Sequence, residues 1–430
     1  MTLEDNLQTR SLIKKFMGTA GIQLISKGLS VVTGIILARV LGPEEFGRYG
    51  LIMSIVAMAT IPTIAGMSQL MIREVSNAQM EKRWSELKGL LRWSSLYVIT
   101  LSLIVMCALS ISIYLEWIEP RIGKYLWLGL AVIPMRGLLA KQNAVLNGLR
   151  FPVLAQLPQG VISSVLVLIA LSGCLLTSHV LEASSVLIIQ IGASLGAVLL
   201  SGYLVLKKSP SELNDSSRKY KVKYWHSALL PFTLLAIISN LNNELASVML
   251  GILGSEEAVG YFKVAMQGVA LLSLGRVAIN SVTGPNFARM YKQGNLNGMQ
   301  KLLTRSVRLS AVTSIPFVLF LIFFGDWVVV LLFGQEYLPA AKLLTILCIG
   351  QVANVLMGSV GLVLQMTGNE KRALRILIIT LAITILLLVV LIPYYQGVGA
   401  AISVTTSLIL WNILMNIEVY KNCKLKCWIK

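Results

Sequence analysis

Apolar residues in this chain recur in long uninterrupted runs, without the alternation of half-buried strands, and the runs approach the ~20 residues a helix needs to cross a bilayer. The pattern predicts twelve spans, over residues 16–38, 49–72, 90–115, 125–149, 152–177, 184–206, 227–253, 260–286, 309–333, 340–367, 373–393 and 397–417. The longest polar stretch between them, Lys207 to His226, separates six runs from six. The expected fold class is an all-α polytopic membrane protein of about 12 transmembrane helices in two six-helix lobes. Residues 1–206 form the expected N-lobe, 207–226 a cytoplasmic basic linker and 227–430 the C-lobe.

Composition supports that picture and removes others. The chain is 56% hydrophobic and 13% charged, with a mean hydropathy of +0.77, well outside the range of soluble domains. Met1 to Lys15 is polar, and the run after it is too long for the core of a cleavable signal, so the first helix is expected to be retained. Cys107, Cys174, Cys348, Cys423 and Cys427 are scattered, three of them inside apolar runs, so neither a disulfide framework nor a metal site is expected. The two histidines, His179 and His226, sit apart in loops, and no phosphate-cradling glycine loop is present. No large polar loop gathers carboxylates, so the chain does not read as an enzyme.

A net charge of +18 would suggest nucleic acid in a soluble protein, but here its placement follows topology. With the N-terminus inside, most Lys and Arg fall on the cytoplasmic side, in both tails and in the stretches 73–92, 207–223, 289–308 and 371–375. Only Arg39, Arg48, Arg121, Lys124, Lys263 and Lys342 fall on the outer side or at helix mouths. So marked an asymmetry predicts both termini in the cytoplasm, with the basic loops touching anionic lipid and no nucleic acid bound.

A repeat divides the chain. "LGPEEFGRYG" from Leu41 and "LGSEEAVGYF" from Leu253 each follow a long apolar run with a charged residue inside it. "LNGLR" at Leu146 and "MTGNEKR" at Met366 each close a span on the cytoplasmic side. Because six is even, the two halves insert in the same orientation, as a parallel repeat about the membrane normal, with a substrate path expected between them.

Charges within the spans are the candidate chemistry. Thr19, Gln23, Lys27, Ser30 and Gly34 follow steps of three and four along one face of the first span. An end of that span is about 11 residues from Lys27, or roughly 16 Å, beyond the reach of a lysine stem. The seventh span repeats the design with Thr233, Asn240, Glu244, Ser247 and Gly251. The eighth aligns Ser273, Arg276, Asn280 and Thr283, and the fourth aligns Arg136, Ala140, Asn143 and Asn147. Lys141 lies about 140° round the helix from Arg136 and nearer the cytoplasmic end, where it can snorkel or stay inside. Glu244 can tie one of the three mid-depth cations, but one acid against Lys27, Arg136 and Arg276 leaves positive charge that an anionic ligand would offset. Arginines suit bidentate contact with phosphate, and lysine suits a point contact. Glu244 is the candidate for coupling to an H+ or Na+ gradient. No other cofactor is expected.

"GIILARVLGPEEFGRYG", "VMLGILGSEEAVGYFKVA" followed by "GPNFARMYKQGN", and "LLFGQEYLPAAKLLTIL" resemble the recurring turns of polysaccharide flippases. These are the Wzx-type O-antigen and repeat-unit translocases of the multidrug/oligosaccharidyl-lipid/polysaccharide (MOP) exporter superfamily. The resemblance covers nearly the whole chain and implies a MATE-like V-shaped bundle in a bacterial inner membrane. It implies movement of an undecaprenyl-diphosphate-linked oligosaccharide from the cytoplasmic to the outer leaflet, with helices one, two, seven and eight around a cationic cavity. On that basis Lys27, Arg136 and Arg276 are the expected substrate-binding cations, and Gln23, Ser30, Asn240 and Asn280 the polar lining. Partners so implied are the lipid-linked oligosaccharide, membrane lipids, and a polymerase with other polysaccharide-assembly proteins. Two alternatives stay open: an exporter of another lipid-linked precursor or of drugs in the same fold, and a membrane-embedded enzyme of envelope assembly.

Overall fold

The computed structural model describes residues 3–176 and 181–425, which excludes His179 and Cys427; within helices the side chains of some positions, Asn240 and Arg276 among them, also lie outside the described residues. No strand occurs among the described residues. The chain runs through α1 (Leu3–Ile64), α2 (Met67–Met80), α3 (Trp84–Tyr114), α4 (Pro120–Leu130), α5 (Val132–Gly148) and α6 (Pro152–Gln156). A π-helical turn, Leu157–Ile162, leads into α7 (Ser163–Leu176), followed by α8 (Ala183–Lys208), the short α9 (Glu212–Asp215) and α10 (Val222–Leu253). Then come α11 (Glu256–Lys292), α12 (Leu296–Phe333), α13 (Leu338–Leu356), α14 (Val360–Met366) and α15 (Glu370–Cys423).

Among the described residues each of the twelve predicted runs is mostly helical, and eight helical stretches are long and apolar enough to cross a membrane. Two of these stretches, Gly21–Met80 across α1 and α2 and Lys371–Cys423 within α15, each take in most of two predicted runs. Their internal bends fall at Gly42 (φ 73°) and Gln396 (φ 49°). Gly42 takes a left-handed conformation that a side chain would resist, so the LG of the first repeat copy is the hinge of α1. The run at 340–367 is also broken, at Gly358 (φ 72°), between α13 and α14. Pro158 lies in the π turn, where its missing N–H interrupts the α-helical ladder.

Two compact units emerge, and neither follows a single cut in the sequence. Unit 1 comprises Met1–Thr33 and Ile52–Glu244; unit 2 comprises Gly34–Leu51 and Leu245–Lys430. In unit 1, α5 packs on α2, α3 and α8, around a core of Met67, Leu70, Met71, Leu90, Trp93 and Trp225. In unit 2, α13 packs on α11, α12 and α15, and Phe287, Met299, Leu303, Val363 and Val419 form a second core. Apolar side chains also face outward along many helices, for example Leu103, Ile104, Phe323 and Leu386, as expected of surfaces solvated by lipid.

Candidate functional site

Unit 1 carries three of the four charged residues singled out at mid-depth, Lys27, Arg136 and Glu244, while Arg276 belongs to unit 2. On α1 the polar stripe is open: Gln23, Lys27 and Ser30 are all exposed. Leu24, Ile25 and Val32 are exposed as well, so this stretch of α1 has a polar and an apolar surface, suited to water and lipid respectively. Ser26 lies against the π turn, where a Cβ on Gly160 would overlap its hydroxyl. The π turn thereby seats the part of α1 that carries Lys27.

Arg136 is half-buried on α5. The asparagines aligned with it tie α5 to α6. Asn143 Nδ2 donates to the Ala155 carbonyl (3.0 Å), and Asn147 Nδ2 donates to Asn143 Oδ1 (2.6 Å). Lys141 is buried, with 8% of its surface exposed, and its Nζ donates to Ser95 Oγ (2.6 Å) on α3. Of the two courses open to it in the sequence, it stays inside and does not snorkel.

Glu244 is half-buried on α10 and accepts a hydrogen bond from Ser54 Oγ (2.7 Å), a buried residue on the second arm of α1. Sequence reasoning misses Ser54, because a serine in an apolar run carries no period of its own. In unit 2, Asn280 is half-buried and its Oδ1 accepts from Ser359 Oγ, just beyond the break at Gly358. Asn240 and Arg276, expected on the same wall, lie outside the described residues as side chains. Among the described residues no group of three His, Cys, Asp or Glu could hold a metal ion.

A second polar cluster is visible in the sequence only as a repeat marker. It lies within unit 2, where the two LG-x-E-E turns meet. Arg48, with 8% of its surface exposed, bonds Glu256 (2.8 Å from Nε), Glu44 (3.0 Å) and Glu45. Gly47 and Gly260 abut, since a Cβ on Gly47 would overlap the Glu256 carbonyl and one on Gly260 the Pro43 carbonyl. The third resembling turn arrives at the same segment: Tyr337 OH donates to the Ala38 carbonyl (2.8 Å), and Arg39 Nε donates to the Leu332 carbonyl (2.7 Å). The spacing of Glu44, Glu45 and Arg48, three and four apart, is the signal the sequence offers for it.

Residues 36–342 match the model of a family described as polysaccharide biosynthesis protein. The chain belongs to that family. The probable low-salt glycan biosynthesis flippase Agl15 of Haloferax volcanii is 25% identical to this family member over 412 residues, covering 93% of this chain and 80% of Agl15. Among solved structures, an inward-facing multidrug resistance MATE family transporter of the MOP superfamily aligns with a TM-score of 0.74 and 16% identity, over 95% of this chain and 98% of that one. The lipid II flippase MurJ in an inward closed conformation aligns with a TM-score of 0.72 and 16% identity, over 93% and 87% of the two chains. The family member is thus a multi-pass membrane protein with the MOP transporter fold.

Proposed function

We propose that this polysaccharide biosynthesis protein is a flippase for a lipid-linked glycan, carrying an undecaprenyl-diphosphate-linked oligosaccharide from the cytoplasmic to the outer leaflet by alternating access. The reading rests on one observation above all, the excess of cations over acids at mid-depth: Lys27, Arg136 and Arg276 against Glu244. Charges at that depth are costly, about 2.5–3.5 kcal/mol each on insertion scales, and are kept for a function. A diphosphate supplies two adjacent anions to which arginine can bond bidentately and lysine singly. Sugar hydroxyls would be met by Gln23, Ser30, Asn240 and Asn280, while the lipid chain stays in the bilayer.

Glu244 is the coupling residue in this reading, exchanging H+ or Na+ as access alternates, and its bond from Ser54 fits a carboxylate whose ionic state is felt on α1. Both termini lie in the cytoplasm of a bacterial inner-membrane protein, beside a polymerase and other assembly proteins that use the flipped product. The name of Agl15 supports a glycan flippase in preference to the drug-exporter and enzyme alternatives.

Vesicles containing the purified protein and a fluorescent undecaprenyl-diphosphate oligosaccharide test the reading. Protein-dependent loss of inner-leaflet label, abolished together by alanine at Lys27, Arg136 and Arg276, is the expected result. Equal rates with and without protein, or lengthening of the glycan, would overturn it.

A further inference from the structure

The cluster around Arg48 is not used by the substrate reading, and its construction is unusual for a static tie. The guanidinium faces three carboxylates, and they come from two places in the chain. Glu44 and Glu45 lie on its own helix, whereas Glu256 reaches it from the first turn of α11. Beneath the charges, Gly47 and Gly260 bring the two backbones into direct contact, so no side chain has to be threaded past another when the surfaces part.

Breaking a buried ion pair is ordinarily costly because it leaves a charge unpaired. Here each side has a place for its charge after separation. Arg48 keeps Glu44 and Glu45 at i−4 and i−3. Glu256 remains in the first turn of α11, behind the Ser255 cap that accepts from Ala258 N (3.2 Å), where the helix dipole favours a carboxylate. The companion ties are few: Arg39 is exposed and can exchange the Leu331 and Leu332 carbonyls for water, and the buried Tyr337, its ring edge-on to Phe46, makes one hydrogen bond to Ala38. In repeat register Arg48 corresponds to Gly260, so only the first copy supplies an arginine, and the second copy's Glu257 is taken by its own Tyr261.

We propose that Arg48 and Glu256, closing over the Gly47–Gly260 contact, are a latch that releases segment 34–51 from the rest of unit 2 once in each transport cycle, at the end the charge asymmetry assigns to the outside. The inference rests on the flippase reading for what passes when the latch opens, but its opening is measurable without transport.

Ala38, fully buried on segment 34–51 with its carbonyl bonded by Tyr337, is the reporter position. In a chain with its native cysteines replaced, Ala38→Cys is reacted with a membrane-impermeant maleimide in intact cells. Arg48→Ala should raise the labelling rate about tenfold, the effect of one hydrogen bond to a charged group on an opening equilibrium. Glu256→Gln, which keeps the packing, should raise it in the same direction. No rise in either variant overturns the latch. In vesicles, undecaprenyl-diphosphate-linked N-acetylglucosamine should raise labelling of the Ala38→Cys protein with Arg48 intact. If it does not, while Arg48→Ala still does, the latch stands and the substrate reading falls. Bridging Arg48→Cys to Glu256→Cys with a short bis-methanethiosulfonate should hold Ala38→Cys unreactive until a reductant is added; reactivity that persists with the bridge in place overturns the proposal.

Discussion

Ser54, buried on the second arm of α1, donates its hydroxyl proton to Glu244 on α10 across 2.7 Å, which joins two distant parts of unit 1 through the carboxylate proposed for ion coupling. Ser54→Ala removes the donor and leaves a half-buried acceptor short of one bond, so unfolding in detergent should become easier by about 1.5–3 kcal/mol. Glu244→Gln keeps an amide oxygen in place and should cost less than Ser54→Ala in stability, yet it should abolish any response of flipping to an imposed ion gradient. Thermal unfolding and gradient-jump assays on the two variants separate the structural from the coupling role. A Glu244→Gln protein that still responds to the gradient would leave the acid as a helix tie.

In the first turn of α3, Glu86 holds the loop before α10. Lys221 Nζ lies 2.7 Å from its carboxylate and Arg83 also pairs with it. Burial opposes its ionisation, but the hydrogen bond from Lys221 and the charge of Arg83 outweigh this, and its pKa sits below the usual 4.5. With the folded value depressed, the ionised pairing contributes fully above pH 4.5 and is lost as pH falls below it toward the folded-state pKa. Hydrogen exchange at residues 216–222 should therefore accelerate below that pH, and Glu86→Gln should show the faster exchange already at pH 7.

The helices are legible because bilayer-length apolar runs are a pattern in one dimension. Lys27 on an exposed face also follows from period alone. Asn143 is not legible in the same way: its wheel position matches Arg136, but its side chain donates to the Ala155 carbonyl on α6, just before the π turn. Arg48 falls among the outer charges that topology explains, and only the fold shows that Glu256, more than two hundred residues away, is its partner. Long-range pairing of this kind leaves no local period to read.

Lys141 gives a direct test of what a buried amine does in unit 1. Its one hydrogen bond among those described is to Ser95 Oγ, while its surface is 8% exposed. Ser95→Ala should destabilise the protein by about 1.5–3 kcal/mol, because a buried charged donor then loses its acceptor. Lys141→Met removes the amine and retains most of the volume, so its unfolding temperature should equal or exceed that of the parent. Flipping by Lys141→Met at parental rates would assign the residue to structure, and loss of flipping at undiminished stability would add it to the transport residues.

The three mid-depth cations should differ in their tolerance of substitution if they meet a diphosphate. Arg276→Ala should abolish surface glycan in cells, whereas Arg276→Lys keeps the charge, loses the bidentate geometry and should retain part of it. Arg136 should follow the same order, and Lys27→Arg, which adds donors at a point contact, should be tolerated better than Lys27→Ala. A diphosphate interaction also requires that added inorganic pyrophosphate compete for binding of the labelled lipid by the parent and lose its effect in the triple alanine variant. Parental glycan levels from all three alanine variants would remove the cationic passage from the mechanism, since packing alone gives no reason for the Ala-versus-Lys order at Arg276.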